Sequence, residues 1–259
     1  MSFVQTVFLG AIAGFTIYLG LPLGRIQSLS LGKRTFLSMT SAGILLFILF
    51  DVLSNLSEPI KSAITEHKDF PVFFFLLSIF VFGFGLGLLG LIAFDQRFMR
   101  ARPGANGPID PTRLALMIAG GIGLHNFSEG LAIGQAAGRG DIAFAALLII
   151  GFGLHNATEG FGIVGPLVGG DRPSWGFIAL AGLIGGGPTF LGTVVGYFLL
   201  SDAMFVLFLS LAAGALVYII GELFNLNRRP EMKFPAGWGL WIGFLIGYLT
   251  DLILTLAGI

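Results

Sequence analysis

The sequence predicts an all-α integral membrane protein: one domain over residues 1–259, eight transmembrane helices, and both termini on the extracytoplasmic side. Three observations predict it. First, 55% of the residues are hydrophobic, only 11% are charged, and mean hydropathy is +0.92; soluble domains carry about a quarter charged residues. Second, the apolar residues fall into eight runs, each near the ~20 residues that cross a ~30 Å hydrocarbon core as a helix. Third, the 14 Lys and Arg residues separate by alternate loops. One side receives Arg25, Lys33, Arg34, Arg97, Arg100, Arg102, Arg113, Arg172, Arg228, Arg229 and Lys233; the other receives only Lys61, Lys68 and Arg139. Lysine and arginine concentrate in cytoplasmic loops, so the richer side is assigned to the cytoplasm.

The first helix is expected over 3–23. MSFVQTVFLGAIAGFTIYLG lacks the basic n-region and small-residue cleavage site of a secretory signal and reads as a retained helix. The second, 33–54, follows Lys33-Arg34 and carries Asp51 near its outer end. The connection 55–70 holds Glu58, Lys61, Glu66, His67, Lys68 and Asp69, so His67 reads as solvated. The third, 71–94, contains Phe73-Phe74-Phe75, a lipid-facing or packing surface. In the connection 95–112, Arg97 to Arg102 reads as a topology signal and not as a nucleic-acid patch. The fourth and fifth, 113–136 and 141–164, are joined through Gly138-Arg139-Gly140-Asp141 and are expected to pack antiparallel. In the sixth, 175–200, GGGP (Gly185 to Pro188) reads as an interruption, since proline removes a backbone hydrogen bond; it either borders a transport site or is a packing kink. The seventh, 203–226, has Glu222 near its inner end. The eighth, 236–258, has Asp251 in its outer half. The short connections leave no room for a separate soluble domain. Zero net charge offers no global attraction for nucleic acid, and the absence of cysteine excludes disulfides and thiolate metal sites.

Two of the three histidines stand in near-duplicate decamers, GIGLHNFSEG (Gly121 to Gly130) and GFGLHNATEG (Gly151 to Gly160), with seven of ten positions identical. Ionisable groups at mid-membrane cost at least ~2.5–3.5 kcal/mol each on insertion scales, which makes them functional candidates. Residues four apart share one helix face, so His125 and Glu129 form one inward pair and His155 and Glu159 another. In consecutive antiparallel helices the two pairs meet at one depth. Two imidazoles and two carboxylates suit Zn²⁺ and accept other divalent first-row ions. Two carboxylates also balance a divalent charge in a medium where isolated charge is costly. Metal and protons are expected to compete there, so uptake should weaken as pH falls through the histidine range. Asn126 and Asn156 lie ~100° round from each histidine, either as oxygen ligands or as partners that fix the imidazole. Surrounding glycines permit close helix approach. Against this stand blander roles: a lone intramembrane histidine often serves as a structural hydrogen-bonding group, and Asp51, Asp251 and Glu222 can cap helix ends, bond neighbours or reach water. The duplication favours the metal site.

At HNFSEG and HNATEG the sequence resembles the ZIP (Zrt-, Irt-like) family of divalent metal transporters. SAGILLFILF (Ser41 to Phe50) is similar to its second helix, and LAAGALVYIIGEL (Leu211 to Leu223), with Tyr218 and Glu222, to its seventh. The resemblance implies zinc transport towards the cytoplasm, with iron, manganese or cadmium as alternatives. It also implies a 3+2+3 arrangement in which the first and last three helices form an inverted pseudo-repeat. By motif position it implies His125, Asn126, Glu129, His155, Asn156 and Glu159 as ligands. The chain departs from the family at Ser128 and Thr158, where many members have proline. It departs again at Gly187, where many prokaryotic members carry a glutamate that bridges a second metal; one metal is therefore expected. The histidine-rich cytoplasmic loop of many relatives is missing, because residues 95–112 contain no histidine.

The reading is a multi-pass transporter of the inner or plasma membrane. Metal enters past Asp51, binds between the fourth and fifth helices, and leaves past Glu222. No prosthetic group is expected; the divalent cation is substrate, the bilayer is the surroundings, nucleic acid is not a partner, and a homodimer stays open. Two other classes share these residues: an intramembrane metal-dependent hydrolase, and a metal-binding membrane protein without transport.

Overall fold

A computed structural model describes residues 1–99, 110–199 and 201–256, which are helical with no strand among them. The helices are α1 (Phe3–Phe15), α2 (Leu31–Thr65), α3 (Phe70–Phe94), α4 (Pro111–Gly138), α5 (Ile142–Val164), α6 (Trp175–Phe198), α7 (Asp202–Leu226) and α8 (Lys233–Leu256). Arg100 and Arg102, and the expected ends of the sixth and eighth helices at 200 and 257–258, lie outside the described residues.

Five stretches are long and apolar enough to cross a membrane: Phe3–Arg25, Leu31–Thr65, Phe70–Arg97, Trp175–Phe198 and Asp202–Leu226. α4, at 28 residues, has the length but is not among them. Its buried residues include His125, Asn126, Ser128 and Glu129. A helix surrounded by protein can carry polar side chains that a lipid-facing helix cannot. α3 is the opposite case. Only Leu76 and Gly83 of it are buried, and Phe74 and Phe75 are exposed while Phe73 packs against the core.

Three elements differ from the sequence expectation. α1 ends early and continues as two 3₁₀ turns, Thr16–Leu19 and Leu21–Arg25. The Thr16 hydroxyl donates to the Ala13 carbonyl at 2.7 Å, a back-bond that competes with the regular ladder. α2 does not stop at 54 but runs on to Thr65, through Pro59. Leu56, Ile60 and Ala63 are buried there, so this segment is an amphipathic extension whose apolar face follows the helical period. At 35 residues α2 is ~52 Å long, far more than the hydrocarbon thickness. Asp51 consequently lies well inside a helix and is not an end cap. Lastly, α6 is unbroken across Pro188. The carbonyl of Ile184, deprived of its usual donor by the proline, faces Gly123 of α4; a Cβ on Gly123 would lie 2.4 Å from that oxygen. The close backbone approach accommodates the proline without an interruption.

Each of the first three helices has its main partner among the last three: α1 with α6, α2 with α8, α3 with α7. α4 and α5 fill the middle, with α4 laid along α6. Within these seams backbone sits on backbone. A Cβ on Gly130 would meet the Thr189 carbonyl at 2.2 Å, and one on Gly243 the Thr40 carbonyl at 2.0 Å. Where α2 and α7 face α5 and α4, contact is through side chains instead, as at Gly121 beside the Ile219 Cδ1.

Candidate metal centre

α4 and α5 are made antiparallel by a tight reversal. Gly140 has φ +83°, a left-handed conformation that glycine adopts without penalty. Its N–H bonds the Ala137 carbonyl, and that of Asp141 bonds the Ala136 carbonyl, both at 3.0 Å; together they close α4 in a Schellman motif. The reversal sets the two histidines side by side, with ring centroids 5.9 Å apart. The helices run in opposite directions, so the glutamates one turn beyond each histidine point to opposite ends of the bundle. Glu129 lies towards the end that carries Asn55, and Glu159 towards the end that carries Arg113.

The four groups converge. His125 Nε2 is 3.3 Å from Glu129 Oε1 and 3.8 Å from Glu159 Oε1, and His155 Nε2 is 3.5 Å from the same Glu159 oxygen. Ligand atoms of His125, Glu129 and His155 all lie within 4.8 Å of one another. These separations exceed a normal N–H···O hydrogen bond of about 2.7–3.2 Å. The His125–Glu129 and His155–Glu159 separations of 3.3 and 3.5 Å are close to the ~3.3–3.4 Å between ligand atoms placed 2.0–2.1 Å from one tetrahedral ion, and the 3.8 Å pair is wider. All four side chains are buried. His125 Nε2, His155 Nε2, Glu129 Oε2, Glu159 Oε1 and the Oδ1 atoms of Asn126 and Asn156 have no hydrogen-bond partner among the described residues. Buried polar atoms are nearly always bonded, so this concentration of unsatisfied polar atoms, with a lone pair available on each imidazole and carboxylate, is what a cation would complete.

The asparagines behave differently. Asn126 Nδ2 donates to Glu159 Oε2 at 2.9 Å and to the Gly185 carbonyl of α6 at 3.0 Å. Asn156 Nδ2 donates to the Ala13 carbonyl of α1 at 3.0 Å, and Asn156 also neighbours Glu129. Each keeps its Oδ1 free to serve as a ligand, while its amide holds position.

A cavity of about 340 Å³ leads to the centre. His125, Glu129 and His155 line its inner part, and Asp51, Asp251 and the exposed Asn55 its mouth. Asn55 Nδ2 donates to Asp51 Oδ1 at 2.9 Å. Glu159 is fully buried and does not line this cavity. On the Arg113 side of it, Leu45 and Ile122, both fully buried, meet at Gly162. The cavity therefore has the exposed Asn55 at one end, and buried apolar side chains lie beyond the centre towards the other.

Of the sequence-derived candidates, His125, Asn126, Glu129, His155, Asn156 and Glu159 come together, and Asp51 and Asp251 share the mouth. Glu222 is buried near the end of α7 and does not line the cavity. Sequence reading missed Asp95, which is buried and accepts a hydrogen bond from the Tyr218 hydroxyl at 2.6 Å. The available signal was its position directly after the apolar run ending at Phe94. No family model matches the chain, and no curated protein is detectably similar to it. The structure is that of an all-helical chain with membrane-length apolar helices and a buried His/Glu group able to hold a metal ion.

Proposed function

We propose that this chain is a ZIP-type divalent transition-metal transporter of the cell membrane, with zinc as its foremost substrate, spanning the bilayer eight times with both termini outside. The observation that carries the reading is the convergence of two buried imidazoles and two buried carboxylates, with His125, Glu129 and His155 lining a cavity shared with Asp51 and Asp251 and with Glu159 buried behind them. The lysine and arginine bias assigns the Asn55 end to the outside. Metal then enters past Asp51 and Asp251, reaches Glu129 first, and is held by both histidines with Glu159 as the inner carboxylate. Release towards Glu222 requires Leu45 and Ile122 to part. The contrast between backbone-to-backbone seams and the side-chain contacts that α2 and α7 make with α5 and α4 supports one helix group shifting against another, as alternating access demands.

The test is metal uptake by purified protein in liposomes, with Zn²⁺, Fe²⁺, Mn²⁺ and Cd²⁺ in competition. Saturable uptake of Zn²⁺ that Glu129→Ala and Glu159→Ala abolish is expected. Tight binding without flux would assign a binding protein instead, and full uptake by both variants would remove the site from the pathway.

A further inference from the structure

On the Arg113 end, three cations share one hollow. Arg25 donates to the Pro173 carbonyl and stacks over Trp175 at 4.2 Å from the ring centre. Arg228 and Arg229, in the turn between α7 and α8, and Lys233, the first residue of α8, form no ion pair with a described carboxylate. They line one cavity of about 540 Å³ whose floor reaches Met39 of α2. Arg229 also borders a smaller cavity of about 120 Å³ shared with Arg34. The one acidic residue of the turn, Glu231, lines neither. Three exposed cations without a carboxylate partner give the hollow a positive potential that attracts anions.

The hollow continues into an apolar face. A second cavity, of about 510 Å³, shares Lys233 and Gly237 with the first and is otherwise lined by Phe234, Trp238 and Trp241. Phe234, Trp238 and Trp241 recur at helical spacing along α8, and all are more than half exposed. The Trp238 and Trp241 rings pack edge-to-face with centroids 5.3 Å apart. This face extends ~10 Å along the axis of α8, away from the cations. Tryptophan rings of this kind mark the headgroup level of a bilayer. A positive hollow joined to an aromatic, lipid-directed strip has the shape and polarity of a phospholipid: phosphate at one end, acyl chain along the other.

We infer that the α7–α8 turn is a binding site for an anionic glycerophospholipid, whose phosphate is held by Arg228, Arg229 and Lys233 and whose acyl chain lies on Phe234, Trp238 and Trp241. The site rests on the membrane reading alone and stands or falls independently of metal transport.

The test is lipid retention by the purified full chain in detergent, titrated with phosphatidylglycerol, with phosphatidylcholine, and with inorganic phosphate. Phosphatidylglycerol is expected to bind in preference to phosphatidylcholine. Arg228→Gln/Arg229→Gln/Lys233→Gln should erase that preference, by roughly fivefold per cation and on the order of 100-fold in all. Arg228→Lys/Arg229→Lys/Lys233→Arg, which keeps the charges, should retain it, and an unchanged thermal transition identifies variants that fold. Trp238→Ala/Trp241→Ala should weaken the lipid without creating a phosphate preference. Undiminished phosphatidylglycerol preference in the folded glutamine variant would overturn the inference. So would inorganic phosphate displacing the lipid at equal concentration, which would make the hollow a free-phosphate site.

Discussion

The two decamers differ at three of ten positions, yet the fold uses them unequally. The α4 copy faces the cavity with Glu129 and turns its asparagine inward, where Asn126 bonds the opposite glutamate. The α5 copy supplies the fully buried Glu159, whose Oε1 lies within 4 Å of both histidines, and its buried asparagine donates to the backbone of α1 as Asn126 does to that of α6. Antiparallel packing causes the difference. Reversing one helix converts a repeated sequence into an outer and an inner carboxylate around a common pair of imidazoles. A duplicated motif thus yields a site with two distinct faces, which a path through a membrane requires and a symmetric cage does not provide.

The comparison is broken most severely at the carboxylates. Glu159→Gln should cause the larger loss of Zn²⁺ binding, because it removes the negative charge of the carboxylate that both histidines approach. Glu129→Gln should weaken binding and slow uptake from the Asn55 side more than it lowers equilibrium affinity; isothermal titration and liposome flux separate the two. Protons come next. Zn²⁺ binds deprotonated imidazole and carboxylate, so protons displace it and affinity falls with falling pH. Between about pH 7 and 5, across the ordinary imidazole value of ≈ 6.5, affinity should drop by about tenfold or more, read by competition with a chelating dye; a flat profile would count against shared imidazole ligation. The asparagines sharpen the contrast. Asn126→Ala should cost about 10–100-fold in Zn²⁺ affinity, the usual effect of removing a group that orients a ligand. Asn156→Ala should show chiefly as a lower thermal transition, equivalent to about 1 kcal/mol, because it removes a buried hydrogen bond to an Ala13 carbonyl that keeps the Thr16 hydroxyl as a donor. The smallest effect is expected at Thr158, whose hydroxyl bonds back to the His155 carbonyl of its own helix at 2.7 Å. Thr158→Ala should change stability by less than about 1 kcal/mol and leave affinity unaltered.

The centre itself was legible from spacing alone: two i, i+4 pairs on consecutive helices leave little choice about where the side chains meet. The helical class was equally plain from the apolar runs. What escaped depended on neighbours. The second half of α2 carries Glu58 and Lys61 beside its buried Leu56, Ile60 and Ala63, so its average polarity conceals a one-sided apolar face. Pro188 reads as a helix breaker until Gly123 of α4 is seen to close over the freed Ile184 carbonyl. Asp95 stands at the edge of an apolar run, and only the approach of Tyr218 from α7 makes it a buried, bonded group. The separate duties of Asn126 and Asn156 were invisible because each is decided by an acceptor on another helix, Gly185 or Ala13.

Zinc K-edge X-ray absorption of the purified, Zn²⁺-loaded chain tests the shared centre most directly. One ion per chain, bound by two imidazole nitrogens with the remaining ligands oxygen, is the predicted result, and His155→Ala should remove one of the two imidazoles. A spectrum with a single imidazole that His155→Ala leaves unchanged would contradict the account.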